Sequence, residues 1–180
     1  MSKQRLSIGA VLMFISLGLG ACHHAPFSAS KIKAEAEAGD RGAQETLAAM
    51  YFIGDGVPVD REKQVFWLKK AAAQGSRYAY YRLGHNYEFG YGLAPDIFKA
   101  AEHYEIGSRL NSADAQTALA RLLVSGALGK RDYQASHMWQ ILSGRHGPMF
   151  AYRDFQAAKH LTKAQINRAE AEAKKVIAGF

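Results

Sequence analysis

The sequence predicts an all-α protein, a solenoid of antiparallel helix pairs closed by a C-terminal capping helix. Three observations carry that expectation. First, Ala43, Ala79, Ala115 and Ala151 recur every 36 residues, and Leu47, Leu83, Leu119 and Phe155 follow at the same spacing. A period of that size marks one supersecondary unit stacked repeatedly on itself. Second, Gly54, Gly90 and Gly126 each precede Asp60, Asp96 and Asp132 in register. A glycine ends one helix in the left-handed conformation, and an aspartate caps the start of the next. Third, no segment shows sustained period-two alternation of β-branched residues, so no sheet is expected.

The chain has 180 residues, 48 % of them apolar and 22 % charged, as expected of one globular domain. A single cysteine excludes an internal disulfide framework and a zinc site built from several cysteines.

Residues 1–21 read as an export signal. Lys3 and Arg5 form a basic start, and Leu6 to Leu19 an apolar run. That run is shorter than the ~20 residues that cross a bilayer. The lone Cys22 follows Leu19-Gly20-Ala21. This L-G-A-C run resembles the lipobox of bacterial lipoproteins. The resemblance implies cleavage before Cys22, acylation of that residue and anchoring in a membrane. Position 23 is His23 rather than Asp, which in that family favours the outer membrane. Loss of Lys3 and Arg5 with the leader lowers the formal charge from +7 to +5. In the periplasm such a charge suits an acidic protein or an anionic polymer rather than nucleic acid. Residues 22–30 form a short tether.

The solenoid is expected over 31–180, with units at about 40–75, 76–111 and 112–147. A degenerate unit at 148–161 and a cap at 162–180 complete it. In the first unit Ala43, Leu47, Met50 and Tyr51 fall at helical spacing before Gly54-Asp55-Gly56-Val57-Pro58 breaks the helix. The second helix carries Val65, Trp67, Leu68, Ala71 and Ala72, and Gly75 ends it. Gly39, Gly75 and Gly147 close successive units, with Asn111 standing in once. The small residues Ala48, Gly84 and Ala120 mark a close helix crossing, whereas Gln44 is expected at the surface. Trp67, Trp139, Tyr51 and Tyr87 are expected in the core. In the cap, Thr162-Lys163-Ala164-Gln165 forms a capping box ahead of the stripe Ile166, Ala169, Ala173, Val176 and Ile177. An amphipathic terminal helix covers the last repeat of a solenoid.

The unit pattern A-x3-L-[GA]-x2-Y-x2-G-x-G-V-P-x-D, followed by W and AA, resembles the Sel-one-like repeat, a bacterial relative of the tetratricopeptide repeat. Unit one is a near-complete match. Unit two replaces the Ala-Ala pair by Gly107-Ser108, unit three lacks the second loop glycine in register, and Gln64 departs from the usual small residue. The resemblance implies a right-handed solenoid whose first helices line a concave groove. It selects Glu45, Ala49 and Phe52 in unit one, and Tyr78, Tyr81, His85, Glu88 and Phe89 in unit two. In unit three it selects Thr117, Arg121 and Val124, and beyond them Phe150 and Arg153. Of these, Tyr78, Tyr81, His85, Glu88, Phe89, Thr117, Arg121 and Arg153 are the expected partner-binding residues, because Tyr and Arg dominate binding hot spots.

Catalytic patterns are sparse. Gly54-x-Gly56 and Gly90-x-Gly92 lack the preceding strand, third glycine and lysine–hydroxyl pair of a nucleotide loop. No G-x-S-x-G elbow occurs, and the seven histidines form no H-E-x-x-H pair. No cofactor or metal is expected. The sequence therefore reads as a membrane-tethered periplasmic adaptor that binds an envelope protein in its groove. An immunity lipoprotein that neutralises a secreted effector is the alternative, and an enzyme acting on peptidoglycan or β-lactams fits less well.

Overall fold

The computed structural model describes residues 29–146 and 157–179. Every described regular element is helical, and the chain is an all-α solenoid of consecutive antiparallel pairs. Helix α1 (Ala29–Glu37) leads into α2 (Arg41–Ile53) and α3 (Arg61–Ala73), the first pair. The second pair is α4 (Arg77–Phe89) with α5 (Ile97–Arg109), and the third α6 (Ala113–Ser125) with α7 (Tyr133–Gly144). A short 3₁₀ turn (Ala157–His160) precedes α8 (Lys163–Ala178), which packs on α7. Cys22, Phe150 and Arg153 lie outside the described residues.

The repeat dictates the caps. Asp60, Asp96 and Asp132 each accept a backbone N–H of the second helix of their pair, Asp60 from Lys63 at 2.9 Å. Their own N–H groups donate to Tyr51, Tyr87 and Leu123, closing the loop on the helix before it. The first helices are capped the same way by Asp40, Ser76 and Ser112, also 36 apart. Gly54, Gly90 and Gly126 end these helices at φ of 85°, 76° and 80°, where a β-carbon is disfavoured. Asn111 holds the left-handed conformation (φ 61°) at the position where the other units have glycine. Arg77 donates to its carbonyl at 3.2 Å.

Small residues and buried amides join the helices, both within and between units. A β-carbon on Gly84 would lie 2.6 Å from Tyr104 Cδ1 and 3.1 Å from the Ala100 carbonyl, so α4 and α5 touch there. Gly107 answers a second crowded contact: a β-carbon there would lie 3.0 Å from that of Ala115. Gln44 is buried rather than exposed. Its amide donates to the Ala36 carbonyl at 3.1 Å and accepts from Gln74 at 2.8 Å. Gln116, two periods on, repeats the bond to Ser108 at 3.2 Å. The reason is chemical: the interface between units leaves a helix-end carbonyl without water, and an amide satisfies it. Trp67, Trp139 and Tyr51 are buried, whereas Tyr87 is half-buried against His103. The capping box on Thr162 and Gln165 forms, and Ala169 and Ala173 are fully buried beneath α8.

Candidate functional site

The first helices bring most of the expected groove residues together in unit two. The site is a chain of aromatic rings. Phe52 at the end of α2 meets Tyr91 edge-on at 6.3 Å between centroids. Tyr91 stacks on His85 at 5.6 Å and on Phe89 at 6.1 Å, and His85 meets Phe89 at 4.6 Å. His85 is 6.2 Å from Tyr81, which is 6.0 Å from Tyr104. Helical geometry makes this continuous, since Tyr81, His85 and Glu88–Phe89 follow at i, i+4 and i+7/i+8 on one face of α4.

One end of the chain is an ion pair. The Arg121 guanidinium on α6 donates to both oxygens of Glu88 at 2.6 Å, and the Tyr104 hydroxyl donates to the same carboxylate at 2.8 Å. The Glu88 side chain is only 8 % exposed, and that of Arg121 38 %. Burial, with the Glu88 charge beside it, pushes the Tyr104 phenol well above its usual range. Three neighbouring helices are therefore pinned at one carboxylate. Glu88 and Arg121 satisfy each other, so both act first as positioning groups.

At the other end two cations gather on one ring. The guanidinium carbons of Arg61 and Arg82 lie 3.9 and 4.5 Å from the Phe52 centroid, and Arg61 also sits 5.5 Å from that of Tyr91. Arg61 further donates to the Phe52 carbonyl at 2.9 Å. Gly92 makes this corner possible: a β-carbon on it would lie 2.5 Å from the Arg61 carbonyl oxygen. The loop after α4 thus rests on the start of α3 and sets Tyr91 beside Arg61.

Exposure separates the surface from its support. Phe89 is 52 % exposed and Tyr91 38 %, while Tyr78 at the other end of α4 is 37 % exposed. Tyr78 and Tyr81 line a recess of about 460 Å³ with Arg77, Asn111, Asp114 and His146. Thr117 does not join this surface. It is a buried residue of α6. Sequence reasoning missed Tyr91, Arg61, Arg82 and Tyr104. Each stands where the repeat is broken: units one and three carry Asp55 and Ala127 in place of Tyr91, and Thr46 and Ala118 in place of Arg82. Among the described residues, no three His, Cys, Asp or Glu side chains come together as metal ligands.

Two histidines, His85 in the site and His103 outside it, give the fold a pH signature. Burial holds His85 below its ordinary value of 6.5, helped by Arg82, and burial likewise lowers His103, which occupies the Trp position of the repeat. The unfolded chain then binds protons that the folded chain refuses. Stability should be unpenalised above about pH 6.5 and should fall as pH drops from there toward the lower folded values. Asp60 and Asp96, lowered from 3.8 chiefly by hydrogen bonds from Lys63 and Lys99, lose their contribution only below that value. Urea midpoints at pH 7.5 and 5.5 check the sign. The double change His85→Phe, His103→Phe should flatten the difference.

Comparison with known proteins agrees with the helix pairs. The pattern of the Sel1 repeat matches residues 42–76, 77–112 and 113–148. An uncharacterized protein of Neisseria meningitidis serogroup B is 34 % identical over 124 residues, covering 66 % of this chain and 26 % of that protein. The crystal structure of a protective antigen of uropathogenic Escherichia coli with an SLR fold matches with a TM-score of 0.74 at 29 % identity. That match covers 83 % of this chain and 32 % of the antigen. A Sel1 repeat protein of Oxalobacter formigenes matches with a TM-score of 0.65 at 28 % identity, over 70 % of this chain and 52 % of its own. The chain thus spans between about a quarter and half of the length of these relatives. Repeats of this kind typically mediate protein–protein interaction and are generally non-catalytic scaffolds. With three of its helix pairs matched and over half of its length covered, the chain belongs to the Sel1 repeat family.

Proposed function

We propose that the chain is a lipid-anchored periplasmic adaptor that binds a protein partner through the concave aromatic face of unit two. One observation carries the reading: Phe89 and Tyr91 are exposed yet held in place by ring contacts to His85, itself braced on Tyr81. Rigid, partly exposed aromatic groups lose little entropy on binding and supply large contact area. The resident partner is an envelope protein, and outer-membrane tethering through Cys22 sets the compartment.

Photo-crosslinking tests the surface. Phe89 on α4 and Phe66 on α3 are equally exposed, at 52 % and 51 %. Replacing each in turn by p-benzoylphenylalanine should give a discrete crosslinked protein from position 89 and none from position 66. The same product from both positions would remove the groove reading. A product that proves to be a secreted toxin rather than a resident protein would recast the adaptor as an immunity protein. For the anchor, Cys22→Ser should abolish incorporation of a clickable fatty acid and membrane fractionation. Undiminished labelling would end the lipoprotein reading.

A further inference from the structure

The two arginines at the Phe52 end are charged in excess of anything around them. Among the described residues, no carboxylate lies within ion-pair distance of Arg61 or Arg82, although seven other basic side chains have one. Arg61 uses one N–H on the Phe52 carbonyl. A guanidinium has five donors in a planar fork, so most of the pair's capacity is not taken by protein acceptors among the described residues. Both groups are half-buried, which weakens their hydration and strengthens a charge-assisted bond to an incoming anion. The chain as a whole carries +7, and +5 once the proposed leader with Lys3 and Arg5 is removed.

Building on the proposed groove, we infer that Arg61 and Arg82 form a receptor for an acidic segment of the partner protein, with Phe52, Tyr91 and Phe89 taking an apolar side chain beside it. The spacing defines the ligand. Since both guanidiniums sit on one ring, they lie within roughly 8 Å of each other, and alternate residues of an extended peptide are about 6.7 Å apart. Carboxylates at i and i+2 of an extended chain can therefore each meet one arginine. A ring at i+4 falls one step further on the same face, and Phe52 and Tyr91 are separated by a comparable 6.3 Å. The occupant is thus an extended peptide with acidic residues on alternate positions and an aromatic residue two positions beyond. Arginine suits this ligand better than lysine would, because each guanidinium already lies over Phe52 and still has N–H groups to pair with a carboxylate.

The test uses a labelled peptide that reads the same in either direction, Phe-Ser-Asp-Ser-Asp-Ser-Phe, with fluorescence anisotropy and the full chain. Saturable binding is expected, at least tenfold weaker for the peptide with Asn in place of Asp, and for Arg61→Gln and Arg82→Gln. The peptide with Ala in place of Phe should also bind at least tenfold more weakly. Arg82→Lys should fall between Arg82→Gln and the original chain, and Phe66→Ala on α3 should change nothing. Far-UV circular dichroism confirms that each variant is folded. No binding at millimolar peptide, equal binding of the Asn peptide, or indifference to both arginines would overturn the inference. Inorganic polyphosphate that binds as tightly and depends on the same arginines would overturn it too, marking a general polyanion site. If arginine variants still bind the crosslinked partner normally while Phe89→Ala does not, the groove stands and the acidic ligand is wrong.

Discussion

Gly84→Ala should destabilise the chain by about 2 kcal/mol, even though alanine is the better helix former by ~1 kcal/mol. The added carbon would sit 2.6 Å from the Tyr104 ring, which is 1 % exposed and cannot swing away. The Ala100 carbonyl, 3.1 Å off, closes the other side. The repeat suggests the remedy. Unit one pairs Ala48 with Leu68 at the positions that unit two fills with Gly84 and Tyr104, so the larger ring needs the smaller partner. Tyr104→Leu should therefore relieve much of the cost of Gly84→Ala. A double-mutant cycle by urea denaturation should give a coupling of ~1–3 kcal/mol. Strict additivity would contradict the packing.

Arg121→Ala should cost about 2 kcal/mol. It strands a carboxylate that is 8 % exposed and whose remaining bond is the Tyr104 hydroxyl. Losing one partner of a fully buried pair costs more, but Arg121 is itself 38 % exposed and water can reach its place. Glu88→Gln should cost less, because a neutral amide still accepts from Tyr104 and leaves no buried charge. Equal midpoints for Arg121→Ala and the unaltered chain would show that the pair is solvated. This result also governs how binding data are read, since a loss of affinity in Arg121→Ala mixes lost contact with a loosened α4–α6 junction.

The periodic part of the molecule was legible because every unit solves the same problem with the same residues. Asp60, Asp96 and Asp132 announce their helix starts, and Gly54, Gly90 and Gly126 their ends. The matching caps Asp40, Ser76 and Ser112 follow the same 36-residue register and emerge only from the structure. Gln44 misled, since a polar residue on a helix reads as surface until the orphaned Ala36 carbonyl it serves is known. The groove was legible as a face and not as a network. Tyr81, His85 and Phe89 share a stripe of α4, but Tyr104 reaches Glu88 from the second helix, and Arg61 reaches Phe52 from the start of α3. Thr117 shows the converse: it has the register position of Tyr81, which is half-buried, yet it is itself buried.

Phe89 and Tyr91 are the exposed anchors of the proposed protein-binding face. The decisive measurement is the affinity of the partner captured at position 89 for the double variant Phe89→Ala, Tyr91→Ala, by isothermal titration calorimetry. Both side chains are substantially exposed, so helix content should be unchanged. Two anchors worth ~2 kcal/mol each predict a loss in affinity approaching a thousandfold. Binding at the original affinity would contradict the account, leaving the concave face of unit two without a role in recognition.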